Sequence, residues 1–164
     1  MKTNLMMNFS VDKEKYQIHV EREFAAAVDL VWTAWTEPKW LDQWWAPKPW
    51  KTETKTMDFR EGGHWLYAMR GPEGETHWCR ADYKSIYPQK SFSGLDAFCD
   101  DMGTVNPSFP RSAWNVDFQP SGESTRVNIL IQFDSLADLE TNIQMGFKEG
   151  FTAALENLDA IFAS

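Results

Sequence analysis

The sequence predicts an α+β fold in which one antiparallel sheet packs against a long C-terminal helix. Between residues 16 and 134, most segments alternate apolar with polar side chains, as strands do when one face of a sheet is buried. Turn-forming Gly and Pro residues separate these segments at hairpin spacing. Residues 145–162 instead place apolar side chains three and four apart, which is typical of an amphipathic helix.

The N-terminal part of the chain predicts one strand followed by two short helices. Residues 1–13 are polar and irregular, so we expect a loose lead-in. Residues 16–24 alternate as a strand, and residues 28–35 repeat apolar side chains at helical spacing. Pro38 suits the first turn of a second short helix. The apolar residues of that second helix are Trp40, Leu41, Trp44 and Trp45.

The rest of the chain predicts a run of hairpin-linked strands and then the terminal helix. The six expected strands cover residues 50–59, 65–69, 76–87, 92–98, 112–118 and 125–134. A loop rich in Asp, Gly, Asn and Pro fills residues 99–111, and a short helix covers 136–143. The sheet therefore has about seven strands, and only the terminal helix is long enough to cover one of its faces.

Length and cysteine content favour one domain in a reducing compartment. The 164 residues suit a single domain, 1–164. Two cysteines are too few for a disulfide framework, and the first residues lack the apolar run of a signal peptide. No apolar stretch is long enough to insert into a membrane. We therefore expect a cytoplasmic protein.

The charge balance excludes some partners. The formal net charge is −8 and the sequence pI is about 4.8. Nucleic-acid binding needs a basic stripe, and Lys and Arg are scattered here, so we expect no nucleic-acid partner.

The aromatic content is high, with nine Trp, eleven Phe and four Tyr residues. Such rings build cores, and they also line the apolar pockets that hold small molecules. The composition leaves both possibilities open.

Several short motifs together resemble one known family. They lie in order from residue 15 to the end, at 31–38, 44–47, 58–63, 69–74, 96–100 and 146–158. Among them are Trp44-Trp45-Ala46-Pro47 and Arg60-Glu61-Gly62-Gly63. The chain resembles the bacterial single-domain relatives of the Hsp90 ATPase activator homology (AHSA1-like) domain, within the START and Bet v 1-like (SRPBCC) superfamily.

The resemblance implies a helix-grip fold, in which a curved sheet of about seven antiparallel strands wraps around the C-terminal helix. Such proteins usually hold an apolar cavity between the sheet and that helix. The family has no shared catalytic set, so the resemblance transfers no active site. The eukaryotic activator carries a further N-terminal domain that helps bind the chaperone, and this chain has no room for it. A chaperone-activating function is therefore not implied.

Strand alternation and the implied cavity together select candidate wall residues. His77 and Asp96 are the polar candidates, either as anchors for a ligand or as a base and its orienting partner on neighbouring strands. Gly146 and Gly150, one turn apart, leave room either for a ligand or for close packing of the helix. The complete set of candidates is Trp45, Trp65, Tyr67, His77, Cys79, Tyr83, Asp96, Phe98, Trp114, Gly146, Gly150 and Phe151.

Three functions are consistent with the sequence. The first is binding of a small hydrophobic or amphipathic molecule in the cavity. The second is a protein–protein interaction module that uses an exposed Trp-rich corner around Trp40, Trp44, Trp45 and Trp50, and a homodimer would be one form of it. The same four residues could equally form a lid or the mouth of the cavity. The third is an enzyme of the cyclase or hydrolase type. No phosphate-binding loop, zinc-type Cys/His spacing or nucleophile motif is present, so we expect no cofactor and no metal.

Overall fold

One antiparallel sheet and four helices make up the fold. The computed structural model describes residues 6–163. The strands in this part of the chain are β1 (Met7–Asp12), β2 (Gln17–Phe24), β3 (Lys51–Met57), β4 (His64–Arg70), β5 (Thr76–Tyr87), β6 (Ser91–Cys99), β7 (Ser112–Ser121) and β8 (Ser124–Gln132). The helices are α1 (Val28–Thr36), α2 (Pro38–Trp44), α3 (Leu136–Gln144) and α4 (Phe147–Phe162). The strand order across the sheet is β1-β2-β8-β7-β6-β5-β4-β3.

The centre of the sheet forms one side of the core, as the alternating pattern predicts. On β2, Ile18 and Val20 are fully buried, and in register they face Ile131 and Ile129 of β8, which are equally buried. Side chains at alternate positions point to the same face of a sheet, so these rows make one continuous apolar surface. The prediction of an α+β fold with an antiparallel sheet is confirmed.

The prediction of a loose lead-in over residues 1–13 is wrong for the part of it that forms β1. Residues 7–12 pair with β2, so that Phe9 lies opposite Val20, and the sheet has eight strands rather than about seven. β1 is a short edge strand whose apolar side chains are at best half-buried. Met7, Phe9 and Val11 nevertheless alternate with polar residues, so the sequence carries a strand pattern here that the prediction missed. Residues 1–5 of the segment lie outside the described residues.

Two irregularities interrupt the regular pairing of the sheet. The register shifts between Thr54 and Thr56 on β3, and again between Tyr83 and Ile86 on β5. Such bulges increase the local twist of the strand that carries them. Opposite the second bulge stands Gly94, where an added Cβ would lie 2.7 Å from the Asp82 carbonyl oxygen. Only glycine allows the backbones to approach this closely, so the bulge requires it.

Helix α4 lies across the concave face of the sheet. It buries Phe151, Ala154, Leu155 and Leu158, which share the face that the apolar spacing predicts. The guanidinium of Arg22, on β2, forms a salt bridge and hydrogen bond with the carboxylate of Asp159, near the end of the helix. Both helices predicted after the first full strand are also confirmed, as α1 and α2.

Candidate ligand cavity

A cavity of about 540 Å³ lies between the concave face of β4 to β7 and the N-terminal half of α4, and it is partly open to solvent. Most of the candidate residues lie on its wall: Trp45, Tyr67, His77, Cys79, Asp96, Phe98, Trp114, Gly150 and Phe151. Sheet alternation therefore found the inward side chains of four different strands.

A second, smaller void of about 50 Å³ lies next to the helices α1 and α2. The candidates Trp65 and Tyr83 line this void rather than the larger cavity. Trp35 and Phe92 also reach it, and their rings occupy most of the space beneath α1. The aromatic residues thus do both things that the composition allows: they fill one end of the interior and line an open cavity at the other.

Gly146 lies on the wall of neither void. It precedes the first residue of α4 and has a φ of +85°. That left-handed conformation explains the glycine, because other residues adopt it at a cost. Gly150 is within the helix and does face the cavity, where the nearest atom to an added Cβ is Pro47 Cγ at 3.8 Å.

Trp45 separates the two voids. Its ring lies 5.5 Å from the ring of Trp65, 6.0 Å from that of Trp114 and 6.0 Å from that of Phe151, measured between ring centroids. Its indole Nε1 donates a hydrogen bond of 3.0 Å to the Tyr67 hydroxyl oxygen. This bond fixes the ring at the boundary, so Trp45 determines how far the open cavity extends.

A short polar chain crosses the cavity wall from Trp45. The Tyr67 hydroxyl receives the indole N–H, and its register partner on β5 is Cys79, whose thiol faces the same cavity. Burial raises the pKa of Tyr67 well above its usual range. Burial also raises the pKa of the Cys79 thiol, and the nearby Asp96 carboxylate adds to that shift. Both groups are therefore neutral and act as hydrogen-bonding groups rather than as nucleophiles.

Asp96 is the acidic group of this wall. It pairs in register with Ala81 and points to the same face as Cys79. Burial raises the pKa of its carboxyl group to about 7, against the effects of a backbone hydrogen bond from Ala97 and of the positive charge of Arg111. The Asp96 side chain is half-buried, because one side of it faces the cavity and protein surrounds its other sides. Asp96 is therefore divided between its neutral and charged forms near neutral pH.

The cation nearest to Asp96 is already paired with another acid. The Arg111 Nη2 atom donates to Asp82 at 2.8 Å, and Arg80 also donates to Asp82. Burial opposes ionisation of Asp82, but these hydrogen bonds lower its pKa. Arg111 reaches Asp96 only through the backbone, with Nε 3.4 Å from the Asp96 carbonyl oxygen. Within residues 6–163, no side chain donates a hydrogen bond to the Asp96 carboxylate.

The hypothesis of a His77–Asp96 catalytic pair is wrong. Strand register places Asp96 opposite Ala81, four residues from His77 along β5, which is about 13 Å of strand. A base and its orienting group need hydrogen-bond contact. His77 is instead exposed at the cavity mouth, where its ring stacks on Trp50 with centroids 5.4 Å apart.

The Trp-rich corner is not an exposed patch. Trp44 is fully buried, and its Nε1 atom donates to the Ala34 carbonyl oxygen at 2.8 Å. Trp45 and Trp50 face the cavity, and Trp40 packs against Phe162 with ring centroids 6.3 Å apart. None of the tryptophans, all of which fall in the described part of the chain, is exposed. The observation expected for an interaction surface at this corner is therefore missing.

The two cysteines are free and lie on opposite faces of the sheet. Cys79 faces the cavity, whereas Cys99 pairs in register with Trp78, the neighbour of Cys79 along β5. Adjacent residues of a strand point to opposite faces, so the two thiols do not meet.

Several wall residues come from loops and helix ends, where periodicity gives no inward direction. They are Pro47, Trp50, Phe109, Pro110, Asn142 and Met145. Phe109 is the one that the sequence could have marked, because it is the aromatic residue of the loop over residues 99–111. Its ring contacts Phe98 with centroids 5.1 Å apart, and its exposed side lies at the cavity mouth.

Two further features of the described residues limit the chemistry. Residues 6–163 contain no group of three or more His, Cys, Asp or Glu side chains arranged to hold a metal ion. No helix in the same part of the chain is both long and apolar enough to cross a membrane.

Comparison with known families accounts for this architecture. A profile of the family described as Activator of Hsp90 ATPase homolog 1-like protein matches residues 25–163. The chain belongs to this AHSA1 family. The match spans both voids and the whole of α4, so the cavity is built on the family's fold. The resemblance drawn from the motifs is confirmed.

Solved bacterial structures share the fold over nearly the whole chain. Protein Ms6760 of Mycobacterium smegmatis is 27% identical, covers 96% of each chain and has a TM-score of 0.88. A protein of Arthrobacter aurescens is 28% identical over 95% of this chain and 91% of its own, with a TM-score of 0.90. Protein NE0264 of Nitrosomonas europaea is 25% identical over 93% and 97%, with a TM-score of 0.80. No curated protein matches the chain significantly.

Proposed function

We propose that this AHSA1-family protein binds a small hydrophobic or amphipathic molecule in the larger cavity. The observation that carries the proposal is the cavity itself, of about 540 Å³ and partly open to solvent. Pockets for small molecules occupy roughly 300 to 1,000 Å³ and have mostly apolar walls with a few polar groups. Here aromatic rings form the wall and the chain Trp45–Tyr67–Cys79, with Asp96, supplies the polar groups.

Binding is better supported than catalysis. Tyr67 and Cys79 are kept neutral by burial, and His77 lies too far along the sheet to act with Asp96. The wall therefore offers hydrogen-bonding groups without an activated nucleophile or a positioned base pair. Such a set can orient a ligand.

Native mass spectrometry of freshly purified protein tests the proposal, followed by denaturing extraction of any released molecule. Gly150→Phe places a ring in the cavity, whereas Gly150→Ala adds one methyl group where 3.8 Å of clearance remains. We expect a bound species in the wild type and in Gly150→Ala, and none in Gly150→Phe. Wild-type protein that carries no small molecule, and that takes up no added decanol in calorimetry, would contradict the proposal.

A further inference from the structure

We infer that the ligand of the cavity is an organic cation, an amine with an apolar body, whose ammonium group binds Asp96 between aromatic rings. This inference rests on the proposed function and names the chemical class of its ligand. The sequence alone does not suggest it, since Asp96 and His77 are equal candidates there. It follows from the surroundings of the Asp96 carboxylate.

The acid of the cavity wall has no Lys or Arg beside it within the cavity that residues 6–163 form, and His77 stands at the mouth, four residues along β5 from the position opposite Asp96. Neither Lys nor Arg is among the lining residues of the cavity within the described chain, and Asp96 is the carboxylate among them. A carboxylate accepts hydrogen bonds at both oxygens, about four in all, and Asp96 receives one from the Ala97 backbone. Buried charges in proteins are normally paired. The missing partner is therefore a donor with positive charge that enters from the cavity.

Aromatic rings surround the same carboxylate. Four residues line both voids and so meet at their boundary: Trp45, Tyr67, Asp96 and Trp114. Phe151 extends this group on the open side, with its ring centroid 5.7 Å from that of Trp114. Cations bind to the faces of Trp and Tyr rings within about 6 Å of the centroid, most strongly when they are desolvated. A carboxylate among such rings favours an ammonium group over any other head group.

The other head groups fit this wall less well. An anionic head would meet the Asp96 carboxylate and would find neither Lys nor Arg on the wall that residues 6–163 form. A neutral alcohol can bond to Asp96, but it brings no charge to the rings. Hydrogen bonds between charged partners are roughly twice as strong as neutral ones. The cavity wall therefore favours a ligand with a cationic head group over one with a neutral or an anionic head group.

Because Asp96 changes its protonation near neutral pH, the preference for a cationic ligand depends on pH. The titratable and charged groups around Asp96 are Tyr67 on β4, Cys79 and the Arg-paired Asp82 on β5, Cys99 on β6, and Arg111 before β7. Burial raises the pKa of Tyr67 and of both thiols, so these three stay neutral at neutral pH. Asp96, with a pKa of about 7, is the group of this set that changes charge there. An amine should bind more tightly as Asp96 ionises.

Titration calorimetry with decylamine, decanol and decanoate tests the inference, because these probes share an apolar chain and differ in the charge of the head. For the wild type we expect decylamine to bind roughly tenfold more tightly than the other two. Its affinity should rise by roughly tenfold between about pH 6 and about pH 8, in parallel with the ionised fraction of Asp96. Asp96→Asn should abolish both effects. The matched control Asp117→Asn removes an equal charge from an exposed position on β7 and should leave both unchanged.

Each other outcome decides against a particular claim. If decanol or decanoate binds as tightly as decylamine, the inference is wrong and the proposed function stands. If decylamine binds tightly but equally in wild type and Asp96→Asn, the assignment to Asp96 is wrong. If none of the three probes binds the wild type, the inference and the proposed function both fail. The comparison of probes on the wild type needs no variant, so a folding defect in Asp96→Asn cannot hide the answer.

Discussion

At the scale of single residues, Asp96 carries a structural cost together with the role in binding that we propose for it. Its backbone belongs to a central strand, while its carboxyl group faces an aromatic cavity. Burial disfavours the charged form, and this raises the pKa to about 7. In an unfolded chain the same group ionises near pH 4. The folded protein therefore holds a proton on Asp96 that the unfolded protein releases.

This difference predicts how Asp96→Asn changes stability with pH. Between about pH 4 and pH 7 the folded state binds the extra proton, so the contribution of Asp96 to stability falls as pH rises. Asparagine has no charge to bury and escapes this loss. We expect Asp96→Asn to gain about 2 to 3 kcal/mol in unfolding free energy relative to wild type on going from pH 5 to pH 8. Urea unfolding at both values measures it, and a difference that is independent of pH would contradict the prediction.

From the sequence alone, the face of the sheet to which a strand side chain points could be predicted, but the residue that it faces on the neighbouring strand could not. Alternation alone shows that Cys79 and Tyr83 share a face, and that Asp96 and Phe98 do, because successive side chains of any strand point to opposite sides. It cannot show which residues of two strands lie opposite each other. The bulge between Tyr83 and Ile86 shifts that pairing. That shift is one residue, whereas Asp96 lies opposite Ala81, four residues from His77, so the supposed contact failed because the two residues stand at different distances from the hairpin turn that joins β5 and β6.

At the scale of elements, the junction of α3 and α4 determines where the cavity ends. α3 ends at Gln144, and the chain turns through Gly146 in a left-handed conformation before α4 begins. Gly150, in the first turns of α4, presents no side chain to the cavity, between the rings of Phe147 and Phe151 that line it. The two glycines looked equivalent in sequence, because helical spacing cannot locate a helix start to within two residues.

Alanine substitutions should therefore have opposite effects at these two positions. Gly146→Ala forces a side chain into a positive φ and should cost about 1 kcal/mol of unfolding free energy. Gly150→Ala meets no atom closer than 3.8 Å and should gain about 0.5 to 1 kcal/mol, because alanine favours the helix. Denaturant unfolding of both variants beside the wild type gives the comparison. Loss of stability in Gly150→Ala would show that α4 needs the close approach there.

The strands and helices themselves were largely predicted, with β1 as the exception. Central strands such as β8 bury every second side chain, so their pattern is strong. β1 lies at the sheet edge and pairs on one side only, so its side chains stay half-exposed. Its six residues still alternate apolar with polar side chains, so the strand could have been recognised and was missed because the whole segment 1–13 was read as polar and irregular.

At the scale of the whole molecule, the cavity exists because the sheet curves away from α4 more than the side chains can fill. Near α1 the rings of Trp35, Trp65 and Phe92 fill the gap to a remainder of about 50 Å³. Beyond Trp45 the gap widens to about 540 Å³. The sequence shows that many large rings are present, but it does not show how they divide the interior into a small void and a larger cavity. That division depends on the rotamer of Trp45 and on its hydrogen bond to Tyr67.

An unfilled cavity links ligand occupancy to the stability of the whole fold. A ligand that binds only the folded state stabilises it by mass action, so decylamine at 100 times its dissociation constant should raise the melting temperature by roughly 5 to 10 °C. Gly150→Phe fills the same space and should melt at a temperature that the amine does not change, while Gly150→Ala should respond as the wild type does. Differential scanning calorimetry measures all three. An equal shift in Gly150→Phe would place the amine outside the cavity, since only a site between the sheet and α4 is blocked by that ring.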